Sequence, residues 1–343
     1  MKQMKQTILL TVLAVLTAFV LPLLFSTAPA EAGPAPEETA AAAEPVPLSG
    51  GDTATGSAVA DAALLLTVHT ADGDVEMTMA DYLPQALAGE MPAAFSEEAL
   101  KAQAVALRTY ALYYRAARKE AHPEADVCTD SGCCAACLDE TALREKWGAG
   151  YETYYAKLCA AVAATDGQYL VYGDEPILAV FHASSGGQTE DGTALGTAQP
   201  YLVSVSSPET AETVSNLQST VTVSAADFRV TVQGVHPNAA LDGEPSGWVG
   251  AAELDAAGRV SQVEIGGVAV SGLALRAMFN LRSTDFTLAY SDGSFVFRVS
   301  GYGHGLGMSQ YGANLLAQDG ATYADILSHY YPGTELVVAV QGE

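Results

Sequence analysis

The chain has 343 residues, 49% of them apolar, and a net charge of −25 from 40 acidic residues against 15 Lys or Arg. That length allows one large domain or two small ones, with a sizeable core. The charge argues against nucleic acid, which is bound through clustered Lys and Arg, and against electrostatic docking on anionic lipid.

Residues 1–30 read as a targeting segment. Lys2 and Lys5 precede an uncharged apolar run from Ile8 to Phe25, interrupted by Thr11, Thr17 and Pro22. Lysines before the run and no cation close behind it orient the rest of the chain outward. The run is near the lower limit for a spanning helix and long for a signal-peptide core, and Ala28-Pro29-Ala30 offers a cleavage site. A retained anchor and a cleaved signal both stay open. Residues 31–62 hold no aromatic residue, Lys or Arg and are rich in Ala, Pro, Glu, Gly, Ser and Thr. Such a stretch buries too little apolar surface to offset the entropy of ordering, so it reads as a disordered tether.

The folded part is expected over 63–343. Leu64–His69 and Val75–Met79 alternate as strands around the Ala71-Asp72-Gly73-Asp74 turn. Asp81–Leu87 reads as a short helix. After Pro92, Ser96 is a candidate N-cap with Glu97 and Glu98 in the first turn, where the helix dipole favours acids. Leu100, Ala104, Leu107, Ala111 and Tyr114 then recur at helical spacing, with Lys101, Arg108 and Arg115 on another face. A second helix is expected around Tyr151–Ala164. Gln168–Tyr172 and Ile177–His182 suggest a hairpin, as do Val260–Ile265 with Val268–Val270 and Phe286–Tyr290 with Phe295–Val299. Short helices are expected near Leu273–Asn280, Gln310–Gln318 and Tyr323–His329. Interspersed helices and antiparallel hairpins without a βαβ repeat make the fold α+β, expected as two lobes around a cleft. The stretch 206–250 has little pattern and reads as a second lobe or an insertion.

Glu90 stands out in a Gly-Glu-Met-Pro turn just before the long helix. A carboxylate beside apolar neighbours has its pKa raised and can act as a general acid near neutral pH; the plain alternative is a solvated loop residue. Two glycine-rich loops follow. In Phe181-His182-Ala183-Ser184-Ser185-Gly186-Gly187-Gln188-Thr189, glycines such as Gly187 allow close backbone approach. Ser184, Ser185, Gln188 and Thr189 offer neutral donors and acceptors that suit a sugar. No Gly-Lys-Ser/Thr follows, so this is not a P-loop. His182 and Ser185 lack both an orienting acid and the Gly-x-Ser-x-Gly context of a nucleophile. The second loop, Gly301-Tyr302-Gly303-His304-Gly305-Leu306-Gly307-Met308-Ser309-Gln310-Tyr311-Gly312, imitates a dinucleotide fingerprint without its βαβ unit. There, His304, Gln310 and Tyr311 are candidate cleft residues and Tyr302 and Tyr311 candidate sugar platforms; a buried structural His304 is the alternative. Four of the five cysteines crowd, with His122, into residues 122–137. Zinc and a disulfide both suit such a loop, and spacing does not choose between them.

The stretch from Gly89 to Tyr110 resembles the signature of the stage II sporulation protein D family, membrane-anchored lytic transglycosylases of peptidoglycan. Both glycine-rich loops resemble it too, as do Gln199-Pro200-Tyr201-Leu202-Val203-Ser204-Val205, Leu281–Phe286 and His329–Thr334, so the likeness runs from about residue 64 to 336. The resemblance implies Glu90 as the catalytic acid, Lys101 and Arg108 as supporting basic residues, and Tyr201 among the substrate-binding positions. Family relatives bind zinc through mixed His and Cys ligands, which implies His122, Cys128, Cys133 and Cys134 here, with Cys137 a rival for the last place. The implied reaction cleaves the MurNAc–GlcNAc bond of peptide-free strands and leaves 1,6-anhydro-MurNAc ends. A cell-wall amidase partner, a membrane anchor with the domain outside the cytoplasm, and a part in spore engulfment are also implied. The same domain occurs in non-catalytic enhancers of an autolysin amidase, which is the competing reading.

Overall fold

The computed structural model describes residues 60–196 and 199–339. The expected targeting segment 1–30 and all but the last three residues of the expected tether 31–62 lie outside the described residues. Among those described, no helix is long and apolar enough to cross a membrane.

Residues 60–62, ahead of the expected domain start at 63, are already tied to the first core: Asp61 is buried and its carboxylate pairs with Arg108. Strands β1 (Leu65–Thr70) and β2 (Gly73–Thr78) form the expected hairpin, with Val68 opposite Val75. Helix α1 (Met79–Glu90) is longer at both ends than the sequence pattern indicates. Thr78 caps it by accepting a hydrogen bond from Asp81 N–H at 3.1 Å, the contact that satisfies an orphan donor of the first turn. At the other end the helix runs until Met91, which is extended because it precedes Pro92. Glu90 is therefore the last helical residue and not a turn residue.

Helix α2 (Glu97–Ala116) is the centre of the first hydrophobic core. From Ala99 to Ala111 every residue except Lys101 is buried, so the helix is enclosed on all sides and Arg108 has no solvent face. Its alanines allow neighbours to approach closely. Strand β3 (Val127–Cys128) joins β1 in parallel and anchors the cysteine-rich loop. Helices α3 (Glu140–Trp147) and α4 (Tyr151–Ala163) follow. Strand β4 (Gln168–Tyr172) pairs only briefly with β5 (Glu175–Pro176). The expected hairpin from Ile177 to His182 does not form, because Ala179 and Val180 N–H bond back two residues, to Ile177 and Leu178 carbonyls at 2.9 Å. Those tight turns curl the chain away from β4, leaving β6 (Phe181–His182) to find another partner.

A second core collects side chains between Val221 and Val299. It is built from β7 (Gln218–Ser224), α5 (Ala225–Val235), β8 (Val249–Leu254), β9 (Val260–Ile265), β10 (Val268–Ser271), α6 (Gly272–Met278), β11 (Phe286–Ser291) and β12 (Ser294–Ser300). Two antiparallel sheets result, β10-β9-β8 and β11-β12-β7. The patternless stretch 206–250 supplies Phe228, Val232 and Trp248 to this core, with Phe228 stacked on Phe295 at 3.9 Å. Each such buried aromatic contributes on the order of 2–3 kcal/mol by area removed from water. The chain then returns to the first core through β13 (Met308–Ser309), α7 (Gln310–Gln318), α8 (Tyr323–Tyr330) and β14 (Glu335–Val338). β14 pairs with β4, and β13 with β6 in parallel.

Candidate active site

The parallel pair β6–β13 brings the two glycine-rich loops together. Met308 faces Phe181 and Ser309 faces His182. Farther out, Ser184 and Tyr302 exchange backbone hydrogen bonds at 3.0 and 2.7 Å. Ser309 then caps α7, accepting from Gly312 N–H, and the first turn of α7 lands on the Pro92–Ser96 turn. Gln310 reaches Glu90, Tyr311 packs edge-on against Phe95 with centroids 5.0 Å apart, and Asn314 Oδ1 accepts from Ser96 N–H at 2.8 Å.

Glu90 sits at that junction, half-buried at the end of α1. Its Oε1 accepts from Ala136 N–H at 2.6 Å and its Oε2 from the Gln310 amide at 3.3 Å. Burial pushes its pKa above the ordinary glutamate value, although both hydrogen bonds and the nearby Lys146 ammonium pull the other way. Its place at a helix C-terminus also opposes ionisation, since that end of the dipole is negative. Lys146, on the last turn of α3, donates to Ala88 O at 2.8 Å. Gly89 is required for this geometry: a Cβ there would collide with the Ala136 carbonyl. Chemically, a carboxyl whose pKa burial raises and which two donors orient is suited to giving and retaking a proton.

The expected basic pair is placed elsewhere. Arg108 is fully buried; its Nε and Nη2 donate to both Asp61 carboxylate oxygens at 2.7 and 2.5 Å, and its Nη1 to Gln168 O at 2.9 Å. Each of the three guanidinium nitrogens is engaged in tying Asp61 and β4 to α2, so Arg108, expected as a supporting basic residue, is placed inside the first core and away from Glu90's hydrogen-bond partners. Lys101 bonds Glu98 at 2.6 Å, and Glu98 in turn accepts from Tyr323 N–H at the start of α8. Tyr201 is likewise internal, its hydroxyl accepting from Leu178 N–H at 2.9 Å.

Within the first loop, Ser185 donates through N–H and Oγ to Glu209 Oε1 at 3.0 and 3.1 Å, and Ser309 Oγ donates to the same oxygen. Glu209 thus clasps both loops from behind. Thr189 is buried against residues 203–205, and the Gly187 carbonyl accepts from Ser207 N–H. Gln188 is exposed, donating to Ser204 Oγ at 2.9 Å. His304 accepts from Leu306 N–H through Nδ1 at 3.0 Å, 5.7 Å from the His182 ring, and burial pushes its pKa down to about 4. It is neutral at neutral pH. Arg259, buried and extending from the second core, donates to Ser185 O at 2.9 Å.

In the cysteine-rich loop, His122 Nε2 and the thiols of Cys128, Cys133 and Cys134 lie within 4.8 Å of one another. Cys134 Sγ is 3.3 Å from His122 Nε2. Tetrahedral zinc with ligand bonds near 2.3 Å separates its sulfur ligands by about 3.8 Å, so the donors are spaced for that ion. His122 Nδ1 is 3.2 Å from Ala125 O, which only accepts; the ring therefore carries its proton there and turns the Nε2 lone pair to the thiols. A hydrogen bond from Cys128 and the Lys119 charge lower the Cys134 pKa, favouring the thiolate. Cys137 stands apart, beside Gln85 at 4.0 Å.

A stage II sporulation protein family model matches residues 70–172. Stage II sporulation protein D of Bacillus subtilis is 34% identical over 275 residues, 78% of this chain and 77% of that protein. The chain belongs to the stage II sporulation protein D family. The Bacillus amyloliquefaciens protein of the same name is 35% identical over 272 residues, again covering 78% of this chain and 77% of the relative. A protein named amidase enhancer from Bacillus subtilis is 28% identical over 300 residues, 72% of this chain but 39% of its own length. Against the family signature, Ala136, Lys146 and Glu209 are the contributors that sequence reasoning missed. Ala136 acts through its backbone and leaves no side-chain signal; Lys146 and Glu209 lie in stretches without periodicity.

Proposed function

We propose that the protein is a peptidoglycan lytic transglycosylase that cleaves the MurNAc–GlcNAc bond of peptide-free glycan strands during engulfment. The observation that carries this reading is the Glu90 carboxyl, raised in pKa by burial and held by Ala136 N–H and the Gln310 amide where the two glycine-rich loops meet the end of α1. In this reading the two hydrophobic cores are lobes and the strand lies across the loops between them. Exposed Tyr302 and Gln188 and half-buried Tyr311 face its sugars.

Protonated Glu90 gives its proton to the glycosidic oxygen as the bond to the MurNAc anomeric carbon breaks. The carboxylate so formed takes the proton of the 6-hydroxyl of the same MurNAc as that oxygen closes on the anomeric carbon. The proton returns to Glu90, no water is consumed, and the product is a 1,6-anhydro end. One carboxyl suffices because the nucleophile belongs to the substrate, whereas a hydrolytic glycosidase uses a second carboxyl. Glu209, the nearby buried acid, is occupied with Ser185 and Ser309.

His122, Cys128, Cys133 and Cys134 would hold a zinc ion. With four protein ligands the ion is structural: it stiffens the loop from which Ala136 addresses Glu90. Residues 1–30 would anchor the protein, with the domain outside the cytoplasm, and an amidase that strips stem peptides would supply the substrate. The relative named amidase enhancer favours a second reading, a non-catalytic glycan-binding enhancer of an amidase.

Mass spectrometry of peptide-free strands incubated with the purified full-length protein and with Glu90→Gln tests the proposal. Anhydro-ended fragments from the wild type alone are expected. Water-added reducing ends would make the protein a hydrolase, and strand binding without cleavage would favour the enhancer.

A further inference from the structure

The last turn of α3 carries two cations that part company. Arg144 turns outward, to Glu140 at 2.8 Å and Glu152 at 3.3 Å, with its guanidinium 4.0 Å above the Tyr151 ring. Lys146 is also exposed as a residue, but its ammonium reaches back to α1 and donates at 2.8 Å to Ala88 O, one of the last carbonyls of that helix. In a chain with 40 acidic residues, this lysine makes no ion pair within 4.0 Å among the described residues. It caps a helix end instead, two residues before the carboxyl that terminates the same helix.

We propose that Lys146 is a positioning residue for Glu90: its ammonium caps the C-terminus of α1 and sets how readily the Glu90 carboxyl gives and regains its proton. The inference rests on Glu90 being the acid of the proposed reaction. A cation in direct contact would hold the carboxylate ionised before any substrate arrived, since an opposite charge at contact lowers a carboxyl by about 1–3 pKa units. A cation held on the helix carbonyl acts through space. It leaves the resting carboxyl raised by burial, yet stabilises the carboxylate that exists between protonating the leaving oxygen and deprotonating the 6-hydroxyl. It also offsets the negative end of the α1 dipole, which works against that carboxylate. The influence is reciprocal: burial lowers the Lys146 pKa and Glu90 raises it. Among the described residues, the other groups facing Glu90 are uncharged: the Ala136 N–H, the Gln310 amide and the buried Tyr82 phenol, whose pKa burial raises. Lys146 is therefore the cation that tunes the site.

The test compares wild type, Lys146→Met, Lys146→Gln and Lys146→Arg in the full chain. Glutamine keeps a donor for the Ala88 carbonyl without the charge, which separates capping from electrostatics. The Glu90 carboxyl is titrated by carbon-13 NMR, its signal assigned by loss in Glu90→Gln, and the pH profile of strand cleavage is measured in parallel. The midpoint is expected to rise by about one pH unit in both neutral variants and to stay near wild type in Lys146→Arg. The alkaline limb of the rate profile moves with it, since the acid then keeps its proton to higher pH. A purely structural lysine would lower thermal stability without moving the midpoint; an unmoved midpoint in both neutral variants overturns the assignment. The titration needs no turnover: a wild type that fails to cleave strands defeats the proposed reaction, while the midpoint still decides the role of Lys146.

Discussion

The Gln310 side-chain amide donates to Glu90 Oε2 at 3.3 Å, joining residues 220 positions apart. This contact makes the second glycine-rich loop part of the acid's surroundings, because Gln310 is fixed by the Ser309 cap and the β6–β13 pair. Gln310→Ala removes one of two donors to the carboxylate. Turnover of peptide-free strands is expected to fall by roughly 10–100-fold, about 1.5–3 kcal/mol for a hydrogen bond to a charged group, and the alkaline limb of the rate profile to move up. Gln310→Glu places a second acid against Glu90 and should move the limb further. An alanine variant with wild-type turnover and profile would sink the role of this contact.

Glu90 also has a stability signature. Burial raises its pKa in the folded state, so the folded protein binds this proton more tightly than the unfolded chain does. Stability therefore falls as pH rises from the ordinary glutamate value through the raised one, and the full penalty is present above it. Glu90→Gln removes the penalty while keeping an acceptor for Ala136 N–H. Its melting temperature is expected to match wild type near pH 3.5 and to exceed it by about 1–4 °C at pH 8. A difference that is the same at both pH values would contradict the raised pKa.

The Asp61–Arg108 pair predicts a different phenotype. Asp61→Ala leaves a buried guanidinium without its counter-charge, which costs about 3–5 kcal/mol. Urea denaturation should show that loss, whereas KM for glycan strands in the folded fraction should stay at the wild-type value, since Arg108 does not face solvent. A raised KM with unchanged stability would return Arg108 to the substrate site.

How much of this could be read from the sequence follows from which forces act locally. The long helix, its start after Ser96 and the hairpins over 260–271 and 286–300 rest on first-turn acids, periodicity and Gly-containing turns, all visible within short windows, although the Ser96 side chain itself makes no capping hydrogen bond. Glu90 was legible as a site candidate, but its position at a helix end was not, because Thr78 starts α1 earlier than its apolar pattern does. Arg108 lies inside the first core because the periodicity of a helix shows spacing, not which faces are covered once other segments pack around it; Tyr201, expected from the family resemblance and from no local pattern, is buried with its hydroxyl on Leu178 N–H. The 206–250 stretch shows little pattern because its buried residues, such as Phe228, Val232 and Trp248, are far apart and meet only across the second core. Glu209 and Lys146 act on partners in distant segments, Ser309 and Ala88, and no local pattern reports such pairs.

The cysteine-rich loop gives the last prediction. Ala136, whose N–H donates to Glu90, lies two residues beyond Cys134, one of the four converging donors. A structural ion bound there would hold that N–H in place, so its removal should act on the acid as well as on the loop. The full-length protein is expected to contain about one zinc per chain by elemental mass spectrometry, given one set of four ligands. Cys134→Ser or chelation should remove the metal, lower thermal stability and reduce strand cleavage by roughly 10–100-fold, as loss of supporting interactions does at other sites. Cys137→Ser, outside the set, should keep both metal and activity. Protein that is fully active without zinc would falsify the structural metal. Loss of zinc in Cys137→Ser but not in Cys134→Ser would instead move the fourth ligand to Cys137.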